Sequence, residues 1–485
     1  MNEDRLTLHT DKYQINMMYA HWKQGTANER AVFEAYFRKL PFGNGYAVFA
    51  GLERVVRYIR GLRFGEEEIA YLRTQEEGYE EAFLRELREF TFSGTLLAVP
   101  EGTLVFPNEP MLRVEARVFE AHLVETALLN FVNFQTLIAT KASRIKQVAG
   151  DDVLLEFGTR RAQEADASIW GARAAYLSGF HATSNLLAGM RFGIPAKGTH
   201  AHAWVQGHDT EEEAFRAYAE ALPDQVTLLV DTYDTLRSGV PNAIRTARML
   251  ESKGKRMHAI RLDSGDLAYL SREARRMLDD AGLSYVRIVA SNDLDENIIF
   301  NLKGQGARID VWGVGTHLIT AEDQPSLGGV YKLVAREKDG ALEPVIKISG
   351  NPEKVTTPGS KSVYRIVNRD TGKAEGDYIA LTEEGEPSPG EPLKLFDPVH
   401  PYLSKTIANF DAVPLLQPIF QDGALVYELP ALERIRRTHE EQLALFRPEI
   451  LRKLNPDAYR VSLSERAWRL KMDMIRKASG ASFDE

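Results

Sequence analysis

Val153-Leu154-Leu155-Glu156-Phe157-Gly158 is a short apolar run that stops abruptly in Thr159-Arg160-Arg161. A run of this length, bounded by glycine and charge, reads as a buried strand. The figure returns five times. Ile194-Pro195-Ala196 stops in Gly198-Thr199-His200-Ala201-His202, and Val226 to Val230 stops in Asp231-Thr232-Tyr233-Asp234. Met257 to Ile260 stops in Arg261-Leu262-Asp263-Ser264-Gly265-Asp266, Val286 to Ala290 in Ser291-Asn292-Asp293, and Ile309 to Trp312 in Gly313-Val314-Gly315-Thr316. Most of these runs are separated by stretches long enough for a helix. Between the third and fourth, Asn242 is expected to help start one from Ala243 to Leu250. Strand alternating with helix implies a parallel sheet. A closed βα-barrel gathers polar residues at every strand end, whereas an open doubly wound sheet gathers them at one or two switch points. The expected fold is therefore α/β, with an irregular βα-barrel over residues 126–336.

Outward from that core, a proline-free helical pattern runs from about Phe119 to Val148. Before it, Phe92 to Val99, Thr103 to Phe106 and Met111 to Glu115 read as a small antiparallel sandwich of their own. Residues 1–90 read as mostly helical, with Thr10-Asp11 capping a helix from Lys12 and a strand-like run from Ala31 to Phe37. After Arg336 the rhythm gives way to turns between short strands. Two charged amphipathic helices follow, Leu432 to Leu445 and Glu465 to Lys477, the second with Ser464 as N-cap. The resulting division is 1–125, 126–336 and 337–485, with the last region expected to pack with the first.

Composition narrows the chemistry. The 485 residues include no cysteine, so disulfides, thiolate nucleophiles and thiolate metal ligands are excluded. A net charge of −9 without a long basic run disfavours nucleic acid as a partner. Met1 to Arg5 lack a signal peptide's basic start, and no apolar run approaches the roughly 20 residues that span a bilayer. A cytoplasmic enzyme is expected.

His200 and His202, at alternate positions, would share one face on strand backbone. They stand as a metal-binding pair, as a nucleophilic histidine with a spare neighbour, or as two structural histidines beside Trp204. Gly198-Thr199 lets the chain pass close to a ligand. Gly313-Val314-Gly315-Thr316 can present backbone N–H groups to a phosphate. Asp231 and Asp263 suit ribose hydroxyls or the waters of Mg²⁺, and Arg160 and Arg261 suit a carboxylate or phosphate.

These segments, in this order, resemble the nicotinate phosphoribosyltransferases. The likeness rests on Glu156 to Gln163, Gly198 to Trp204, Asp231 to Thr235, Arg261 to Asp266, Ser291 to Asp295 and Gly313 to His317, with Thr10 to Gln14 and Thr357 to Arg365 at the flanks. It implies condensation of nicotinate with phosphoribosyl pyrophosphate, coupled to ATP hydrolysis, as the first step from salvaged nicotinate to NAD. The implied architecture is the type II phosphoribosyltransferase barrel beside an α/β sandwich domain built from both chain ends. His202 matches the histidine that ATP phosphorylates, with Asp263 and Arg261 as catalytic partners. Phe157 matches one face of the pyridine slot, and Tyr13 resembles the opposing face, which comes from a partner subunit in a homodimer. Arg160, Arg261, Thr199, Asp231, Gly313, Gly315 and Thr316 fall among the substrate contacts. Ser184 stands where nicotinamide-using relatives place an aspartate, which favours the acid over the amide. Mg²⁺ is expected on the substrate's pyrophosphate, with no protein ligand assigned. The alternative is a zinc-dependent barrel hydrolase using His200 and His202, with His181 or His208 completing the set. That reading leaves Arg160, Arg261 and the Gly313–Thr316 turn without a role.

Overall fold

The computed structural model describes residues 6–478, so the reading of Met1 to Arg5 lies outside the described residues. Residues Ile138–Pro325 form one compact unit, and the chain on either side of them forms the other.

In the first unit, six parallel strands lie in the order Ala182–Thr183, Val153–Glu156, Val311–Val314, Arg287–Ala290, Ala259–Leu262, Thr227–Leu229. The last strand in sequence pairs with the first, Val311 opposite Val153 and Val314 opposite Glu156. A sheet whose strands follow chain order and whose last member returns to its first is a ring. The remaining gap, between Thr183 and Thr227, is crossed in two steps. Ala196 bridges Thr183 in parallel, and His200, four residues on, accepts the Leu229 N–H at Nε2, 3.1 Å away. Four residues reach at most roughly 14 Å, so one short loop and one side chain close the barrel. Leu155, Ala182, Ala259, Val289 and Val311, from five different strands, fill its interior as one cluster. The α/β class and irregular barrel expected from the rhythm are the fold observed.

Helices follow the strand ends with side-chain caps. Asn185 accepts the Ala188 N–H, Thr210 that of Glu213, Asp266 that of Tyr269, and Asp295 those of Asn297 and Ile298. Each cap satisfies N–H groups that a helix start leaves orphaned. Two expectations are corrected here. Ile194-Pro195-Ala196 is not a strand, because Pro195 has no N–H to give a ladder; Ala182–Thr183 takes that place. The helix assigned to an Asn242 start runs from Val240 to Ser252, after a π-turn at Thr235–Gly239 capped by Asp234. Asn242 is buried instead and donates its amide to Glu211, 2.7 Å away.

The second unit centres on a seven-stranded sheet: Ala341–Pro344, Val330–Lys338, Arg30–Tyr36, Leu112–Arg117, Thr95–Ala98, Gln417–Gln421 and Ala424–Leu425. The separate sandwich expected near residues 92–115 is thus corrected. Its outer strands pair with Arg30–Tyr36 and with Gln417–Gln421, while Leu104–Val105 pairs with Ala47–Val48. A second sheet joins Phe410–Pro414, Lys361–Asn368, Ala374–Leu381 and Val461–Leu463. Inside it the fully buried Arg365 grips Asp377 on the adjacent strand through two N–H groups, at 3.0 and 2.7 Å. The helices at Leu432–Leu445 and Glu465–Ala478 form as expected, and Ser464 Oγ accepts the Ala467 N–H. Asp11 occupies the N-cap position of Lys12–Gln24, but its carboxylate accepts from Thr126 Oγ1 rather than from the helix. A 32-residue helix, Val118–Ala149, carries the chain from one unit into the other.

If His200 closes the barrel, His200→Ala leaves the Leu229 N–H buried without an acceptor. The expected cost is about 1–3 kcal/mol, at roughly 2–4 °C per kcal/mol for a unit of this size. Differential scanning calorimetry of the purified variant reads that shift, and an unchanged melting temperature would show that the seam is held elsewhere.

Candidate active site

Strand parity decides what reaches the barrel's mouth, because alternate residues face opposite sides. Leu155, Ala182, Ala259, Val289 and Val311 face inward. Two steps further along the same strands come Phe157, Ser184, Arg261, Ser291 and Gly313, and a further step reaches Asp263 and Gly315. Thr227 and Leu229 lie opposite Ala259 and Arg261, which gives Asp231 the inward parity too.

Arg261 is the hub. Its Nε donates to Ser291 Oγ at 2.8 Å, its Nη1 to Thr199 Oγ1 at 2.9 Å and its Nη2 to Asp263 Oδ1 at 2.9 Å. Ser291 in turn hydrogen-bonds Asp263. The guanidinium also lies over the Phe157 ring, 5.7 Å from its centroid, a distance at which cation and ring attract. Gly313 makes room for that ring: a Cβ there would stand 2.6 Å from Phe157 Cδ2. At Gly315 a Cβ would come within 3.2 Å of the Phe157 carbonyl oxygen, and the short helix Thr316–Ile319 begins directly after it.

The two histidines have different fates, and the shared strand face expected for them is corrected. Residues 197–201 form no strand, and His202 opens the helix His202–Gln206. The buried His200 accepts at Nε2 from Leu229, and its Nδ1 faces the Ala201 carbonyl at 3.3 Å. Both nitrogens are thereby used, and burial lowers its pKa, which keeps the ring neutral. His202 is open to solvent over more than a third of its side chain. Its Nδ1 lies 3.1 Å from Thr232 Oγ1, and its Nε2 lies 4.0 Å from Asp231 Oδ1 and 3.8 Å from Asp263 Oδ2. Asp231 Oδ2 accepts from the Asp263 N–H and from Ser264 Oγ, each at 2.7 Å. Its Oδ1 is buried without a hydrogen-bond partner.

The zinc-hydrolase alternative loses its ligands in this arrangement. His200 Nε2 is committed to Leu229, His181 Nδ1 accepts the Leu154 N–H, and His208 Nδ1 faces the Trp204 carbonyl. Among the described residues, no group of three or more His, Asp or Glu is placed to hold a metal ion.

Arg160 lies exposed in the turn Thr159–Arg161 just beyond Phe157, and Ser184 lies exposed beyond Ala182–Thr183. Tyr13 belongs to the other unit and is half exposed. Sequence reasoning assigned no role to Thr232, Ser264 or Ser291, the three hydroxyls that hold His202, Asp231 and Arg261. Their only signal was position, since each falls just beyond a strand end or two residues past an inward-facing neighbour.

A barrel with its ionisable and hydroxyl side chains collected at one rim is the architecture of an α/β-barrel enzyme. Three family models cover nearly the whole chain: the nicotinate phosphoribosyltransferase (NAPRTase) N-terminal domain over residues 8–133, the NAPRTase family over 153–372 and the C-terminal domain over 360–471. The nicotinate phosphoribosyltransferase of Bacillus subtilis is 55% identical, with 100% of this chain and 98% of that protein covered. The human counterpart is 35% identical over 94% of each. In structure, the crystal structure of human nicotinic acid phosphoribosyltransferase superposes with a TM-score of 0.85 at 33% identity, covering 96% of this chain and 99% of that one. The chain belongs to the nicotinate phosphoribosyltransferase family.

The tight seat of Phe157 on Gly313 yields a test. Gly313→Ala drives a methyl into the ring, and overpacking of this kind costs about 1–3 kcal/mol. Thermal melts should show that loss in Gly313→Ala and much less of it when Phe157→Leu is added, since the clash needs the ring. Equal losses in both backgrounds would mean that the methyl strikes something else.

Proposed function

We propose that this chain condenses nicotinate with phosphoribosyl pyrophosphate to give nicotinate mononucleotide and pyrophosphate. In this reading the reaction is coupled to ATP hydrolysis through a phosphohistidine at His202, and it is the first step from nicotinate to NAD. The observation that carries the reading is the pairing at one rim of an accessible imidazole with an arginine stacked on an aromatic ring.

The proposed phosphoryl step uses the tautomer of His202 that donates Nδ1–H to Thr232 Oγ1, 3.1 Å away. With Nδ1–H donated to Thr232, the lone pair lies on Nε2, and a neutral imidazole is a competent nucleophile near pH 7. Nε2 attacks the γ-phosphorus of ATP, the bond to the bridging oxygen breaks, and ADP leaves. Later attack of water on the N–P bond releases phosphate and restores the ring.

For the transfer itself, nicotinate lies against Phe157 with its carboxylate toward Arg261 or Arg160, since a guanidinium fits a carboxylate through paired N–H bonds. Thr199 contributes a hydroxyl beside Arg261. The pyridine nitrogen attacks the anomeric carbon as pyrophosphate departs, and the protein's share is positioning and charge stabilisation. Asp231 and Asp263 face the ribose and phosphate side, and the Gly313–Thr316 turn offers N–H groups to phosphate. Mg²⁺ fits this rim because Asp231 Oδ1 is a buried carboxylate oxygen without a donor and hard cations take such ligands. When bound with pyrophosphate it neutralises leaving-group charge. The partner subunit's Tyr13 supplies the second face of the slot in a homodimer. The proposed setting is the cytoplasm; no described helix is long and apolar enough to cross a membrane.

Incubation with γ-labelled ATP should give an acid-labile, base-stable phosphoprotein that His202→Asn abolishes and Thr232→Val weakens. Equal labelling of His202→Asn would move the nucleophile elsewhere. Selectivity is read separately in steady-state assays with nicotinate and nicotinamide. Ser184→Asp should move the ratio of kcat/KM toward the amide by at least about tenfold, or ~1.4 kcal/mol, because a carboxylate there repels the acid. An unchanged ratio would show that position 184 does not read the charge.

A further inference from the structure

Glu156 belongs to the segment that carries the family resemblance, yet it has the wrong parity to touch a ligand in the barrel's mouth. Leu155 and Phe157 face inward, so Glu156 faces the surrounding helices. It is 1% exposed, and among the described residues its side chain is held by two neutral groups rather than by a cation. Burial raises its pKa, which two hydrogen bonds only partly offset. A carboxylate without a cation is an expensive occupant for such a place.

Its contacts show what it holds. One oxygen accepts the Gly158 N–H and the other accepts the Thr183 hydroxyl, each at 2.5 Å. Thr183 Oγ1, having given its proton, accepts the Asn185 N–H at 3.0 Å, and Asn185 Oδ1 caps the next helix through the Ala188 N–H. The main chain repeats the link, since the Ser184 N–H donates to the Glu156 carbonyl at 2.9 Å. Behind Gly158 there is no slack: a Cβ there would meet Ile319 Cβ at 2.5 Å and Glu156 Oε1 at 2.9 Å. One buried side chain therefore joins the Phe157-Gly158 turn to the Thr183-Ser184-Asn185 turn, and each turn carries an inward residue of the proposed pyridine slot.

We infer that Glu156 is a positioning residue for substrate recognition: by tying Gly158 to Thr183 it sets the spacing between the Phe157 wall and the Ser184 wall of the slot. The inference rests on the proposed reading of that slot as the nicotinate site. The tie needs a group that accepts on both sides. Glutamine keeps the shape and can still accept from Gly158, but its amide must donate toward Thr183, which reverses that bond and leaves the buried Thr183 hydroxyl proton without its acceptor.

Steady-state kinetics on the full-length enzyme test this, with each substrate varied in turn and melting temperatures in parallel. Glu156→Gln and Thr183→Val should each raise KM for nicotinate by about tenfold, with kcat and KM for phosphoribosyl pyrophosphate within about twofold of wild type. Thr183→Ser, which keeps the hydroxyl, should restore the wild-type KM. The double variant Glu156→Gln/Thr183→Val should be no worse than either single one, since both cut the same link. An unchanged nicotinate KM with a lowered melting temperature would overturn the inference and leave Glu156 a structural acid only, as would parallel losses in kcat and both KM values. Should Glu156→Gln fail to fold, Thr183→Val and Thr183→Ser carry the same test. Wild-type enzyme that turns over a different pyridine and not nicotinate would overturn the proposed substrate instead, and the Glu156 link is then measured on that pyridine's KM.

Discussion

A parallel barrel must return its last strand to its first, and the sequence of this chain meets that demand everywhere except at one seam. Val311–Val314 closes onto Val153–Glu156 through backbone hydrogen bonds. Between Thr183 and Leu229 the backbone does not suffice, because Pro195 interrupts the run that would have been the seventh stave. The seam is closed by an imidazole. His200 replaces a missing strand's carbonyl by accepting the Leu229 N–H, and it does so as a neutral ring kept uncharged by burial. The residue two positions later is then free to turn outward and open a helix at the rim. The structural histidine thus places the accessible one, and the His-x-His spacing reflects that division of labour more than any shared ligand.

The same geometry separates residues that can meet a substrate from residues that hold those in place. Inward parity collects Phe157, Ser184, Asp231, Arg261, Asp263 and Gly313 on one side. Outward or flanking positions supply Glu156, Thr183 and Thr232. A side chain fixed by several short hydrogen bonds loses little further freedom when it takes a ligand. Arg261, held by Thr199, Asp263 and Ser291, is the clearest case.

Local periodicity and chain order were legible in the sequence. The abrupt passage from apolar run to polar turn located five of the six barrel strands, and the uninterrupted helical patterns near Phe119 and Leu432 located two helices to within a residue or two. Long-range pairing was not legible. Nothing within residues 92–115 announces that Thr95–Ala98 pairs with Gln417–Gln421, because a ladder partner more than three hundred residues away leaves no local mark. At the site, charge and ring chemistry pointed to Arg261, Asp263 and His202, which the structure brings within a few ångströms of one another. The neutral hydroxyls of Thr232 and Ser291 carried no such signal. Two histidines of identical spacing also could not be told apart before the seam was seen, since the difference lies in which one meets an edge strand.

The charges at the rim carry one more step of the proposed chemistry. Asp231 and Asp263 outnumber Arg261, and only Asp263 is paired with it. Asp231 is nearly all buried, with one oxygen accepting two hydrogen bonds and the other none. An unsatisfied buried carboxylate oxygen costs about 1–3 kcal/mol or more, so a fold retains it where some other contact compensates. A phosphate chain alone would add negative charge beside two carboxylates and be repelled. A phosphate chain that arrives with a divalent cation reverses the sign of the contact, and the orphaned oxygen then becomes an asset. Within the proposed reading, this rim therefore suits the cation complex of phosphoribosyl pyrophosphate or ATP, while Arg261, anchored by Asp263 and lying over Phe157, meets the pyridine acid.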